Sequence, residues 1–134
     1  MKLSKYTLVV LILMSTLFAD VTNKYLSQEL LDSKIPIVDI RTVQEWKETG
    51  ILQNTIPITF FDEHRQYNIE EFLVRLSEKV DITKPFAVIC RTGRRTKMLA
   101  KYLSDTYNYK ITNVAGGIRI HDMKYKELNF TSYK

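Results

Sequence analysis

A single cysteine, Cys90, occurs in the 134 residues of the chain, so no disulfide can close within it. Histidine is almost as scarce. His64 and His121 stand far apart, no second ligand accompanies either, and no metal site is expected. Internal repeats and low-complexity linkers are missing. Positive charge is in modest excess, with 20 Lys+Arg against 15 Asp+Glu. Outside the segment from Arg91 to Lys97 those cations are interleaved with acids, which excludes a nucleic-acid footprint.

What is present begins with a leader-like N-terminus. Lys2 and Lys5 precede an apolar run from Tyr6 to Phe18, and Ala19 then offers a small residue before Asp20. This is the layout of a secretory signal peptide, and the run is shorter than the roughly 20 apolar residues of a spanning helix. The expectation is a leader over 1–19 and a single domain over 20–134, exported and periplasmic where the host has a periplasm. Membrane contact would come only through an uncleaved leader. Without Lys2 and Lys5 the charge falls from +5 to +3. A domain of this length buries a core without a disulfide or metal staple. In an exported protein a lone thiol is either an inert buried side chain or is kept for its reactivity.

Short apolar runs alternate with amphipathic segments, which predicts an α/β fold with a mainly parallel sheet flanked by helices on both faces. Ile35 to Ile40 reads as a buried strand and Val43 to Thr49 as a short helix ended by Gly50. Ile56 to Phe60 reads as a second strand. Asn68 with Glu71 resembles a capping box, followed by a helical face of Ile69, Phe72, Leu73 and Leu76. Pro85 to Ile89 is a compact apolar strand that runs straight into Cys90. A helix from about Thr96 to Tyr107 follows, with Leu99, Tyr102, Leu103 and Thr106 on one face. Lys110 to Val114 reads as a strand, Gly116-Gly117 as a turn, and His121 to Leu128 as a closing helix.

The junction at Cys90 carries the chemistry. In α/β sheets the carboxyl end of a strand, facing a helix start, is where ligands sit. Unpaired amides, the positive end of the helix dipole and nearby cations all stabilise a thiolate. Arg91, Arg94 and Arg95 flank Cys90, and Gly93 permits a tight turn with amides aimed inward. The expected product is an anion-holding cup with a nucleophile at its floor. Basic residues at a helix start oppose the dipole, a local conflict of the kind found at functional sites.

The segment Cys90-Arg91-Thr92-Gly93-Arg94-Arg95-Thr96 resembles the six-residue active-site loop of rhodaneses, C-x-x-G-x-R followed by Ser or Thr. Val38-Asp39-Ile40-Arg41-Thr42 with Glu45-Trp46, the stretch from Gly50 to Ile58, and Gly116-Gly117-Ile118 resemble further landmarks of that family, in its order. Ile51, Asn54-Thr55 and Thr59 depart from its usual residues. The resemblance covers nearly all of 25–128 and implies a single-domain, rhodanese-like fold. It also implies a sulfurtransferase working through a Cys90 persulfide, with no other cofactor. Its partners would be a small anionic sulfur donor such as thiosulfate and a thiol or protein acceptor. Arg91, Thr92, Gly93, Arg94, Arg95 and Thr96 would bind substrate, while Asp39 and Arg41 would support neighbouring loops. Two rival functions remain: a sulfur-carrier module without turnover, and a phosphatase or arsenate reductase of the same fold. His64 reads as part of a solvated loop and Trp46 as a packing residue.

Overall fold

Five parallel strands form the central sheet, in the order β1-β6-β5-β2-β4. The computed structural model of the chain describes residues 19–118 and 128–134. The expected leader, apart from Ala19, and the expected closing helix, apart from Leu128, lie outside the described residues. The strands are β1 (Thr22–Tyr25), β2 (Ile37–Asp39), β4 (Thr55–Pro57), β5 (Phe86–Ile89) and β6 (Ile111–Ala115). A separate antiparallel pair joins β3 (Ile51–Leu52) to β7 (Phe130–Thr131). Helices α1 (Gln28–Asp32), α2 (Val43–Thr49), α3 (Ile69–Lys79) and α4 (Arg94–Tyr107) complete the described elements. Among the described residues no helix is long and apolar enough to cross a membrane.

Strand β5 is central and wholly buried, as strands covered on both faces must be. Its side chains alternate. Phe86 and Val88 enter one core with Phe72 and Leu76 of α3 and with Leu99 and Leu103 of α4. Ala87 and Ile89 enter the other, with Leu30 and Leu31 of α1, Leu52 and Ile118. The expected α/β architecture is therefore present, with helices on both faces of a parallel sheet.

Several boundaries differ from expectation. Helix α4 starts two residues early, and its buried stripe is Thr96, Leu99, Ala100, Leu103 and Ser104. Tyr102 and Thr106 point to solvent instead. Strand β4 stops at Pro57, yet the amides of Ile58 and Phe60 still donate to the carbonyls of Asp39 and Ile40 at 3.0 and 3.3 Å. At Asn68 the cap is one-sided: its side chain accepts from the Glu71 amide at 3.1 Å. The reciprocal capping box lies at Thr42 and Glu45. Strand β1 had no signature in the sequence because all four of its side chains are exposed; backbone pairing with β6 and a side-chain bond from Asn113 Nδ2 to Asn23 Oδ1 at 2.9 Å hold it.

Beyond β2 the chain turns on a buried ion pair. Asp39 is fully buried and Arg41 is 2% exposed. The Arg41 Nε donates to both Asp39 oxygens at 3.0 and 3.1 Å, and Nη2 donates to Oδ2 at 2.9 Å. The rest of the guanidinium reaches the Thr49 hydroxyl at 2.6 Å and the Gly50 carbonyl at 2.8 Å, pinning the end of α2. Removing one partner of such a pair strands a charge in the interior. Arg41→Ala should therefore lose about 3–5 kcal/mol of unfolding free energy in urea, with most of the loss traceable to unpaired Asp39.

Candidate active site

Between β5 and α4 the chain makes a tight arch, Cys90-Arg91-Thr92-Gly93. Gly93 sits in the left-handed region at φ +82° and forms the N-cap of α4. A Cβ there would lie 2.7 Å from the Gly116 nitrogen. Gly117, at φ +59°, abuts the other side of the arch, where a Cβ would overlap the Cys90 carbonyl oxygen and approach the Arg91 carbonyl carbon to 2.7 Å. The Ile118 amide donates to the Cys90 carbonyl at 2.9 Å. The Gly116-Gly117 turn is thus the strut beneath the loop. Glycine is required at both levels because backbone lies directly on backbone.

The sulfur accepts the Gly93 amide at 3.2 Å, and the Thr96 hydroxyl lies 3.6 Å from it. That hydroxyl donates to the Gly93 carbonyl at 3.3 Å. Cys90 is completely buried and packs with Val88, Leu99 and Ala100 in the core. This corrects the expectation of an open cup. Among the described residues one loop amide reaches Sγ, and the arch covers it.

The helix start is nonetheless built for an anion. Helices α1, α2 and α3 are capped by Ser27, Thr42 and Asn68, and each carries an acid in its first turn. Helix α4 has no side-chain cap and no acid there; Arg94 and Arg95 open it. Its positive end is left uncompensated beside the thiol.

The three loop arginines divide into two kinds. Arg91 and Arg94 are exposed, and their guanidinium groups have no partner among the described residues. Arg95 forms a two-bonded fork with Glu45, Nη1 to Oε2 at 2.8 Å and Nη2 to Oε1 at 2.7 Å. Glu45 Oε2 also accepts the Thr42 amide at 2.9 Å, closing the capping box of α2. Burial alone would raise the Glu45 carboxyl, but the Arg95 and Thr42 hydrogen bonds outweigh it and hold the group below its ordinary 4.5. Burial alone would likewise lower the Arg95 value; Glu45 first, and Cys90 next, turn the balance upward. Arg95 therefore braces the loop against α2 while its charge also faces the sulfur. The spacing Thr42-x-x-Glu45 is a sequence signal for the cap alone; the pairing of Glu45 with Arg95, 50 residues away, has none.

Above the arch opens a cavity of about 850 Å³, lined by Arg91, Thr92, Arg94 and Arg95, by Phe61 and Met98, and by Asp62, Glu63 and Arg65 among others. Cys90 does not line it. Arg41 and Arg91 face a second cavity, of about 320 Å³, closed partly by Ile118 and Phe130. Asp39 is occupied by Arg41 and forms no hydrogen bond with the sulfur among the described residues. His64 is exposed. Among the described residues no cluster of metal-ligating side chains occurs.

Glu45→Gln keeps the cap geometry but removes the charge that holds Arg95. The loss should be about 1–3 kcal/mol in chemical denaturation. Because the folded carboxyl titrates below the unfolded one, wild type holds this contribution in full above about pH 4.5 and loses it as pH falls through the lowered folded value. The difference between wild type and variant should therefore shrink in acid; a constant difference down to pH 3 contradicts the assignment.

By sequence, the chain is 29% identical over 99 residues to the uncharacterized protein RP600 of Rickettsia prowazekii (strain Madrid E), covering 72% of this chain and 79% of that one. In structure it is similar to Rv0390 from M. tuberculosis, with a TM-score of 0.59 and 19% identity over 73% of this chain and 80% of that one. A rhodanese-like domain protein from Staphylococcus aureus is also similar, at 25% identity and a TM-score of 0.53, covering 78% and 89%. The Rhodanese-like domain profile matches residues 22–119. That span runs from β1 to just past the turn beneath the Cys90 arch, and the chain belongs to the rhodanese-like domain family.

Proposed function

We propose that the protein is a sulfurtransferase that carries a sulfane sulfur on Cys90. The observation that supports this most is the Cys90 sulfur at the end of β5, held by the Gly93 amide beneath an uncapped, arginine-rich helix start. The Cys90 thiolate attacks the outer sulfur of thiosulfate. The donor S–S bond breaks with both electrons leaving on sulfite, and Cys90–S–S⁻ remains. An acceptor thiolate then attacks the outer sulfur of the protonated persulfide, Cys90–S–SH, which regenerates the Cys90 thiolate and releases the acceptor as its persulfide. Arg91 and Arg94, unpaired at the rim, draw in the anionic donor. Cys90 is fully buried, so transfer requires the arch that covers Sγ to open.

Loop length argues against phosphate chemistry. Arg95 falls five residues after Cys90, whereas the C-x5-R loop of phosphatases places arginine at the sixth position, here Thr96. The shorter arch fits one sulfur atom around Sγ rather than a tetrahedral oxyanion. One observation favours the carrier reading: complete burial of Sγ would slow release to small acceptors.

Incubation with thiosulfate followed by intact mass measurement should add the mass of one sulfur atom to wild type and nothing to Cys90→Ser. Thiocyanate should then form on adding cyanide. Uptake without release would establish the carrier reading, and hydrolysis of an aryl phosphate without any adduct would overturn sulfur transfer. The export reading, which rests on the apolar run after Lys5, has its own check. N-terminal sequencing of the protein from its native cells should start near Asp20 in an exported fraction, and an intact Met1 in the cytoplasm would refute export.

A further inference from the structure

Segment 128–134 returns the chain to the site from beyond the 22–119 span shared with the family. It is held lightly. Strand β7 is two residues long, both of its side chains are exposed, and among the described residues it pairs with β3 alone. A bond from the Gln53 amide to the Asn129 carbonyl at 2.8 Å extends that pairing. A short, exposed pairing of this kind opens locally at far less cost than the domain unfolds.

Its contacts nonetheless fall on both supports of the arch over Cys90. Leu128 packs against the core cluster that contains Ile89, which leads into Cys90, and Ile118, whose amide bonds the Cys90 carbonyl at 2.9 Å. The Thr131 carbonyl lies over Gly50, where a Cβ would come within 2.8 Å of its oxygen. Gly50 ends α2, and its own carbonyl is gripped by Arg41. Ring centroids of Tyr133 and Trp46 are 5.4 Å apart, and Trp46 is next in sequence to Glu45, the brace of Arg95. Phe130 and Arg91 of the arch line one cavity, of about 320 Å³. The Trp46 Nε1 is buried with no hydrogen-bond partner among the described residues, a cost of the closed form that water would relieve.

We propose that segment 128–134 is a strap that holds the Cys90 arch closed, and that its release from β3 lets the arch open. With strap and arch both in place the sulfur is completely buried. With the strap off, α2 loses its cover at Trp46 and Gly50, and the Glu45–Arg95 brace and the Ile118 bond lose the packing behind them. The inference concerns access to the thiol, whatever group Cys90 transfers, and so goes beyond the sulfur-transfer reading.

Cys90 is the chain's single thiol and Trp46 its single tryptophan, so both ends of the coupling can be followed in the full-length protein. Thr131→Pro, which breaks into the short ladder, and Tyr133→Ala, which uncovers Trp46, should each shift Trp46 emission to the red. Alkylation of Cys90 by iodoacetamide under native conditions, followed by intact mass, should speed up about three- to tenfold in both, as for the loss of one hydrogen bond. Val80→Ala, in the other core, is the control for global destabilisation, with unfolding free energies taken from urea titrations. Its Trp46 emission should stay as in wild type, and its alkylation should rise only as its unfolding free energy falls. Unchanged alkylation in the strap variants overturns the proposal. So does faster alkylation that follows the lost unfolding free energy alone, as in Val80→Ala, or that comes without a change in Trp46 emission. If thiosulfate adds no sulfur to Cys90 while alkylation still depends on the strap, the sulfur-transfer reading alone falls.

Discussion

Backbone stacked on backbone beneath Cys90 is the constraint on which the site depends. The arch from Cys90 to Gly93 lies against the Gly116-Gly117 turn with no room for a Cβ at Gly93 or Gly117. The Ile118 amide bonds the Cys90 carbonyl, so the end of β6 supports the end of β5. This contact aims the Gly93 amide at the sulfur and starts α4 without a side-chain cap. A wider separation would leave the arch free to relax away from Sγ.

Helix α2 is the second fixed point, clamped at both ends by arginines from elsewhere. Arg41 grips its last residue and the Gly50 carbonyl, while Arg95 grips Glu45 in its first turn. Only Arg95 belongs to the active-site loop, so α2 is the link between the buried Asp39–Arg41 pair and the sulfur. The same sharing of charge sets the character of the rim. Neutralising Arg95 with Glu45 leaves Arg91 and Arg94 as the loop's unpaired cations among the described residues. Loop electrostatics here are thus divided between bracing and attraction, two tasks that adjacent arginines in one motif do not reveal.

Much of the scaffold could be read directly. The β5 strand, the span of α2 and the Asn68 helix start are written in apolar runs, Gly50 and a capping side chain. Misreadings have local physical causes. Tyr102 fits a helical count from Leu99, yet the stripe is centred on Thr96, Ala100 and Leu103 because the sheet lies on that side. Strand β1 carries no apolar alternation, since at its edge position backbone pairing and a polar side-chain bond, not burial, attach it to β6. The pairing of β3 with β7 joins segments nearly 80 residues apart, and two-residue strands leave no periodicity to detect.

The chain's order of residues by itself determined the parallel α/β layout, the single thiol at a strand-to-helix junction and the six-residue loop around it. These are local properties, set by periodicity, glycine and spacing. Tertiary structure alone decided that Cys90 is covered, that Arg95 is spent on Glu45 and that Arg65 joins Arg91 and Arg94 at one cavity. The reason is that burial and ion pairing depend on which distant segments meet, and that meeting is governed by how two cores close on the sheet.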